Sequence, residues 1–294
     1  MRTFTFDGVA VAAVTPFTKQ GNLDSGLLRA LVAWWISEGI EGLVLCGSTG
    51  EMAYLSVAER LEVIACGLSA ARGRVPVIAG TGFATTRETL EATAGAAKLG
   101  VDAALVVTPY YYPLSDTAFV AHYEAVAQEA QLPVLLYNMP AFTGVNLRPE
   151  LVERLAQVEG VVGIKDSAGN LEQLKQIVAR TPPEFCALTG SFPLLGQAVG
   201  AGANGAILAL ANLIPAACVE VRKLAKQGNA DRAQASLDTF EELQNWVKVH
   251  GIPGIKQQLG EAGHPAGFPR LPLQPLDPGL ASLRRPDMLG AQPR

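Results

Sequence analysis

The chain has 294 residues, a formal net charge of −4, 49% hydrophobic residues and 17% charged residues, the balance of a folded soluble protein with one large core or two ordinary domains. The acidic balance disfavours a nucleic-acid surface, no apolar stretch approaches the roughly 20 residues that span a bilayer, and the N-terminus lacks the basic-then-apolar layout of a secretory leader. The expected setting is the cytoplasm, with Cys46, Cys66, Cys186 and Cys218 as buried thiols, since none forms a CxxC pair and three lie in apolar runs.

In chain order, Val9–Val14 reads as a first strand and Leu27–Glu38 as a helix. The pattern then repeats: strand Gly42–Cys46 with helix Ala58–Ala71, strand Val77–Gly80 with helix Thr86–Leu99, and strand Ala103–Val107 with helix Asp116–Ala130. Strand Val134–Tyr137 with helix Arg148–Ala156, strand Val162–Lys165 with helix Leu171–Ala179, and the strands Ala187–Gly190 and Gly205–Leu208 complete it. Continuous apolar strands are those of a parallel sheet covered on both faces. Eight apolar strands alternating with helical segments predict a closed α/β barrel, the (β/α)8 TIM barrel. An open doubly wound sheet is the alternative. It usually carries a Gly-rich loop after its first strand, and here that strand runs into Thr15-Pro16-Phe17. Residues 229–249 read as one long amphipathic helix, a short helix follows Pro253, and the proline-rich tail from Pro265 is expected to wrap the surface. We therefore read 1–224 as the barrel and 225–294 as a C-terminal helical extension, too short to bury much core alone.

Chemistry in such a barrel is expected at the C-terminal ends of the strands. Lys165 stands there, directly after Val161-Val162-Gly163-Ile164. Burial disfavours the ammonium form of a lysine, and a neutral amine can attack a carbonyl. A lysine that merely ends its strand in a pair with Asp166 is the structural alternative. Tyr137 closes the neighbouring strand and can shuttle protons, or simply pack under a loop. Ser48-Thr49-Gly50-Glu51 has the spacing of a capping box at a helix start, where free N–H groups also suit a carboxylate. Tyr110-Tyr111-Tyr112 reads as an interface or loop anchor. No metal is expected, because His122, His250 and His264 lie far apart without ligand spacing.

Taken together, Gly8…Thr15-Pro16-Phe17, Gly47-Ser48-Thr49-Gly50-Glu51, Val107-Thr108-Pro109-Tyr110-Tyr111, Tyr137-Asn138-Met139-Pro140, Gly163-Ile164-Lys165-Asp166-Ser167 and Gly190-Ser191 resemble the N-acetylneuraminate lyase/dihydrodipicolinate synthase family of class I aldolases. The likeness covers nearly the whole chain. It implies a Schiff-base lysine at Lys165 acting on pyruvate or another 2-oxo acid, a proton-transfer tyrosine at Tyr137, a relay hydroxyl at Ser48 and a carboxylate binder at Thr49. It further implies that Tyr111 reaches into a neighbouring subunit's site, that Gly190 and Ile207 line the pyruvate pocket, that the protein is a homotetramer, and that no cofactor is needed.

Two departures bear on the substrate. Synthases of the lysine pathway carry an arginine at the position of Phe142, where it binds the carboxylate of the aldehyde, and an Asn-Pro pair before the C-terminal Pro-x-x-Lys; this chain reads His250-Gly251-Ile252-Pro253-Gly254-Ile255-Lys256. Loss of the arginine removes a charge-assisted bidentate contact. With Ala141-Phe142-Thr143-Gly144 and Lys165-Asp166-Ser167, the chain looks closest to 4-hydroxy-2-oxoglutarate aldolase-like members. The expected activity is therefore cleavage or formation of a C–C bond in a 2-oxo acid, of 4-hydroxy-2-oxoglutarate or 2-keto-3-deoxy sugar acid type. The alternatives are dihydrodipicolinate synthase chemistry with aspartate semialdehyde, and a non-catalytic 2-oxo acid sensor.

Overall fold

A computed structural model describes residues 4–277. The strands are β1 (Val9–Ala12), β2 (Gly42–Leu45), β3 (Val77–Gly80), β4 (Ala103–Val107), β5 (Val134–Asn138), β6 (Val161–Asp166), β7 (Cys186–Thr189) and β8 (Gly205–Leu208). Each pairs in parallel with its sequence neighbours, and β8 closes on β1 through Val9↔Ala206 and Ala10↔Ile207. The result is the (β/α)8 barrel that the alternation predicts, not an open sheet.

The apolar runs are continuous because both strand faces are covered. Ala10, Val44, Ile78, Leu105, Leu135, Leu188 and Ile207 fill the barrel interior. Val11, Leu43, Leu45, Ala79, Val106, Leu136, Ile164 and Leu208 face outward into the layer under the helices. Side chains alternate along a strand, so parity decides which polar residues at strand ends enter the barrel. Tyr137 shares the phase of Leu135, and Lys165 is the register partner of Tyr137.

The helices are α1 (Ser25–Ser37), α2 (Val57–Ala71), α3 (Thr86–Leu99), α4 (Asp116–Ala130), α5 (Pro140–Thr143), α6 (Pro149–Leu155), α7 (Leu171–Arg180), α8 (Leu195–Gly200), α9 (Pro215–Lys226), α10 (Ala230–Asp238) and α11 (Glu241–Glu261). Several start where a side chain accepts a bond from the first turn: Asp24 for α1, Thr85 for α3, Ser115 for α4 and Asn170 for α7. The helix α2 carries a complete capping box built by Ser56 and Glu59. The box expected at Ser48 and Glu51 does not form. Ser48–Gly50 is a single 3-10 turn with no side-chain cap, and Glu51 takes a left-handed conformation at φ 60°.

The extension also differs from its sequence reading. The helix expected over 229–249 is broken at Thr239-Phe240, between α10 and α11. Phe240 is buried there, edge-on to Phe192 with ring centroids 6.2 Å apart. The expected short helix after Pro253 is instead the second half of α11, resumed after a non-helical residue, Gly251, at φ 56° and ψ −141°. Pro253 is tolerated because it falls in the first turn after that break, where its missing N–H has no partner to lose. Residue 225 lies within α9. The tail does wrap the surface where it is described. The Phe268 N–H donates to Phe17 O at 2.8 Å, and Arg270 donates to the carbonyls of Gly21 and Tyr54. No helix among the described residues is long and apolar enough to cross a membrane.

Candidate active site

The C-terminal ends of the strands converge on a cleft of about 310 Å³. Seven of the eight residues singled out in the sequence line it: Ser48, Thr49, Tyr137, Phe142, Lys165, Gly190 and Ile207. Lys165 is 5% exposed, and its Nζ lies 4.3 Å from the centroid of the Tyr137 ring. The Tyr137 hydroxyl lies 3.2 Å from Ser48 Oγ, either oxygen being able to donate. An amine, a phenol and an alcohol are thus held in sequence at one mouth of the barrel.

Lys165 and Asp166 do not pair. Adjacent strand residues face opposite sides, so Lys165 enters the barrel and Asp166 points into the outer layer. There the Asp166 carboxyl accepts from Asn138 Nδ2 at 2.7 Å, the Ala168 N–H at 3.2 Å and Gln173 Nε2 at 3.3 Å. Burial raises the carboxyl's pKa above its ordinary value, and these three donors oppose that shift. Asn138 Nδ2 also reaches Asn146 Oδ1 at 2.8 Å, so a closed polar network backs the strand that carries Lys165.

Gly190 is a matter of space. A Cβ built on it would sit 1.9 Å from Ser167 Oγ and 3.0 Å from Lys165 Cε, so the lysine stem needs a residue without a side chain beside it. Ser48 and Thr49 open a 3-10 turn, and no backbone or side-chain acceptor among the described residues takes their N–H groups. Three residues carry little helix dipole, so what this turn offers an anion is the two amides and the two hydroxyls. Tyr111 stands apart from the other seven. It is 82% exposed, at φ 89°, and packs edge-on to Tyr112.

A second hollow, about 350 Å³, shares Ser48, Met139, Phe142 and Ile252 with the first and is otherwise lined by groups such as Met52, Tyr54, Val107 and Tyr110. Among the described residues lining the two hollows, Lys165 is the only lysine or arginine. Sequence reasoning missed the roof of the cleft, Val247, Gly251, Ile252 and Ile255 of α11. Their apolar spacing is that of any packed helix face, and only docking of the extension shows where they point. It also missed a buried ion pair, Glu51 with Lys256 at 2.6 Å. No cluster of three or more His, Cys, Asp or Glu side chains among the described residues is arranged to hold a metal ion.

Comparison with known proteins agrees with this geometry. Residues 5–281 match the model of the dihydrodipicolinate synthetase family. The chain is 39% identical over 274 residues to a 4-hydroxy-tetrahydrodipicolinate synthase of Teredinibacter turnerae, covering 92% of this chain and 94% of the relative. Among solved structures, it superposes at a TM-score of 0.90 and 37% identity on the chloride-inhibited dihydrodipicolinate synthase of Acinetobacter baumannii complexed with pyruvate, covering 93% of this chain and 94% of that one. YagE of E. coli, a prophage protein of the dihydrodipicolinic acid synthase family in complex with pyruvate, gives a TM-score of 0.89 at 32% identity, with 93% and 94% covered. The chain belongs to the dihydrodipicolinate synthetase family, whose members are carbon–carbon lyases of the class I, Schiff-base type.

Proposed function

We propose that Lys165 condenses with the carbonyl of a 2-oxo acid and that the enzyme cleaves, or in reverse forms, the bond between C3 and C4 of a 4-hydroxy-2-oxo acid. The observation that carries this reading is the Lys165 amine buried inside the barrel beside Tyr137, whose phenol reaches Ser48. The neutral amine adds to C2, and the carbinolamine loses water to give a protonated imine. Tyr137 and Ser48 carry the protons of these steps. The C4 hydroxyl then loses its proton, the C3–C4 bond breaks, and its electron pair passes through C3 and C2 to the imine nitrogen. The aldehyde leaves. The enamine takes a proton at C3, and hydrolysis releases pyruvate. The nitrogen is the electron sink, so this route asks for no organic cofactor. Thr49 and the amides of its turn hold the 2-oxo acid carboxylate, while Gly190 and Ile207 leave room for the pyruvate unit.

The polarity of the two hollows bears on the aldehyde half. Phe142 is 73% exposed at the cleft, and no cation but Lys165 lines either hollow among the described residues. A substrate with a second carboxylate would bring that charge to a surface without a partner for it. This favours a 2-keto-3-deoxy sugar acid, which releases an uncharged aldehyde, over the dicarboxylate 4-hydroxy-2-oxoglutarate. A specific observation favours a second reading, the condensation of pyruvate with aspartate semialdehyde: relatives at 37–39% identity carry the name 4-hydroxy-tetrahydrodipicolinate synthase. Pyruvate release from a panel of 4-hydroxy-2-oxo acids, run beside a coupled synthase assay, separates the two. Turnover of sugar acids with a silent synthase assay is expected, and the opposite pattern overturns the aldolase reading.

The exposed Tyr111 and Tyr112 support a homotetramer in which Tyr111 completes a neighbour's site. The four cysteines, free and buried, fit a reducing cytoplasm.

A further inference from the structure

Glu51 and Lys256 lie 205 residues apart and bury a complete ion pair at one side of the cleft. Their side chains are 0% and 2% exposed. All three donors of the Lys256 ammonium are used, on Glu51 Oε1 at 2.6 Å, Thr15 O at 2.7 Å and Phe268 O at 2.7 Å. The second carboxylate oxygen accepts from the Arg270 N–H at 2.7 Å. The pair therefore ties together the exit of β1, the turn after β2, the second half of α11 and the strap at 268–270.

Buried pairs of this kind add little net stability compared with an apolar substitute. What this one provides is a fixed geometry. The turn it anchors carries Ser48 and Thr49, three and two residues before Glu51, and Thr15 Oγ1 donates to Gly50 O at 2.8 Å to hold the same turn from the other side. Glu51 itself sits in the left-handed region, which a residue with a side chain adopts only when its surroundings hold it there. On the other arm, Ile252 and Ile255, in the same stretch of α11 as Lys256, roof the cleft. Lys165 stands on β6, and among the described residues no hydrogen bond or ion pair joins it to Glu51 or Lys256.

We propose that Glu51 and Lys256 are positioning residues for the proton relay, setting Ser48 against the Tyr137 phenol by clamping the turn after β2 to the C-terminal extension. The proposal rests on the reading of the cleft as a Schiff-base site. It separates two steps. At saturating pyruvate the extent of imine reached at equilibrium on Lys165 does not depend on the clamp, which bears only on how fast the protons of condensation move, whereas the rate of proton transfer at C3 of the bound enamine does.

Pyruvate alone tests this. Borohydride trapping reports the imine, and exchange of the pyruvate methyl hydrogens in D2O, followed by NMR, reports proton transfer at C3. The variants are K256M and E51Q/K256M. In the second, both charges are gone, so no buried charge is orphaned, and the amide carbonyl introduced by E51Q still accepts from the Arg270 N–H. In the double variant we expect trapping at the wild-type extent, far-UV circular dichroism unchanged, and exchange slowed at least tenfold. Exchange within twofold of wild type, or trapping that falls in step with exchange, overturns the clamp. Wild-type protein that does not trap pyruvate overturns the Schiff-base reading, and the clamp with it.

Discussion

Ser48 Oγ and the Tyr137 hydroxyl lie 3.2 Å apart, although 89 residues separate them in the chain. The contact exists because the turn after β2 and the end of β5 open on the same mouth of the barrel. Two hydroxyls in contact beside a buried amine form a path along which a proton can move in either direction.

Removing the hydroxyl with Tyr137→Phe leaves ring packing in place and deletes the proposed relay. Turnover is expected to fall by about 10²-fold or more. Ser48→Ala is expected to cost less. Because the two groups act in one path, the double variant should be little slower than Tyr137→Phe alone, a non-additivity that steady-state rates of the three variants check directly.

Gly190→Ala places a methyl group against Ser167 Oγ and Lys165 Cε. The lysine stem has to move, so imine trapping with pyruvate is expected to slow by at least tenfold. The same crowding costs about 1–3 kcal/mol of stability, measurable by urea unfolding.

Much of this was legible in the sequence for physical reasons. Strands buried on both faces read as apolar runs, and Lys165 stands out as the charge that ends one of them. Ser48 and Glu51 misled because Ser-x-x-Glu is a local pattern, while the true partner of Glu51 is Lys256, 205 residues on. The capping box forms at Ser56 and Glu59 instead. The helix expected over 229–249 has no glycine or proline at its break; the interruption comes with Phe240 docking on Phe192, a contact no local signal encodes. Ile252 and Ile255 are apolar residues on a helix, and only tertiary docking makes them a roof.

Phe142→Arg restores a guanidinium at the cleft, at the position where the resemblance places the aldehyde-carboxylate arginine. With pyruvate as co-substrate, kcat/KM for aspartate semialdehyde should rise at least tenfold over wild type, while cleavage of sugar acids is unimproved. Unchanged use of aspartate semialdehyde would mean that its carboxylate is bound elsewhere.

His122 is one group that links stability to pH. Its Nδ1 lies 2.9 Å from Thr86 Oγ1, and burial pushes the imidazole from 6.5 down to about 4. The folded state keeps it neutral while the unfolded chain protonates near 6.5, so stability is full above that pH and is lost as pH falls toward 4. The shift corresponds to about 3 kcal/mol. His122→Gln, which keeps a partner for Thr86 but cannot take the proton, should flatten the dependence between pH 7 and pH 4.5 in denaturant titrations.

The most direct test of the central claim is the mass of the protein after incubation with pyruvate and borohydride. We expect one adduct per chain, located on Lys165 by peptide mapping and absent from Lys165→Ala. An unmodified wild-type mass, or an adduct that persists in Lys165→Ala, would contradict the assignment.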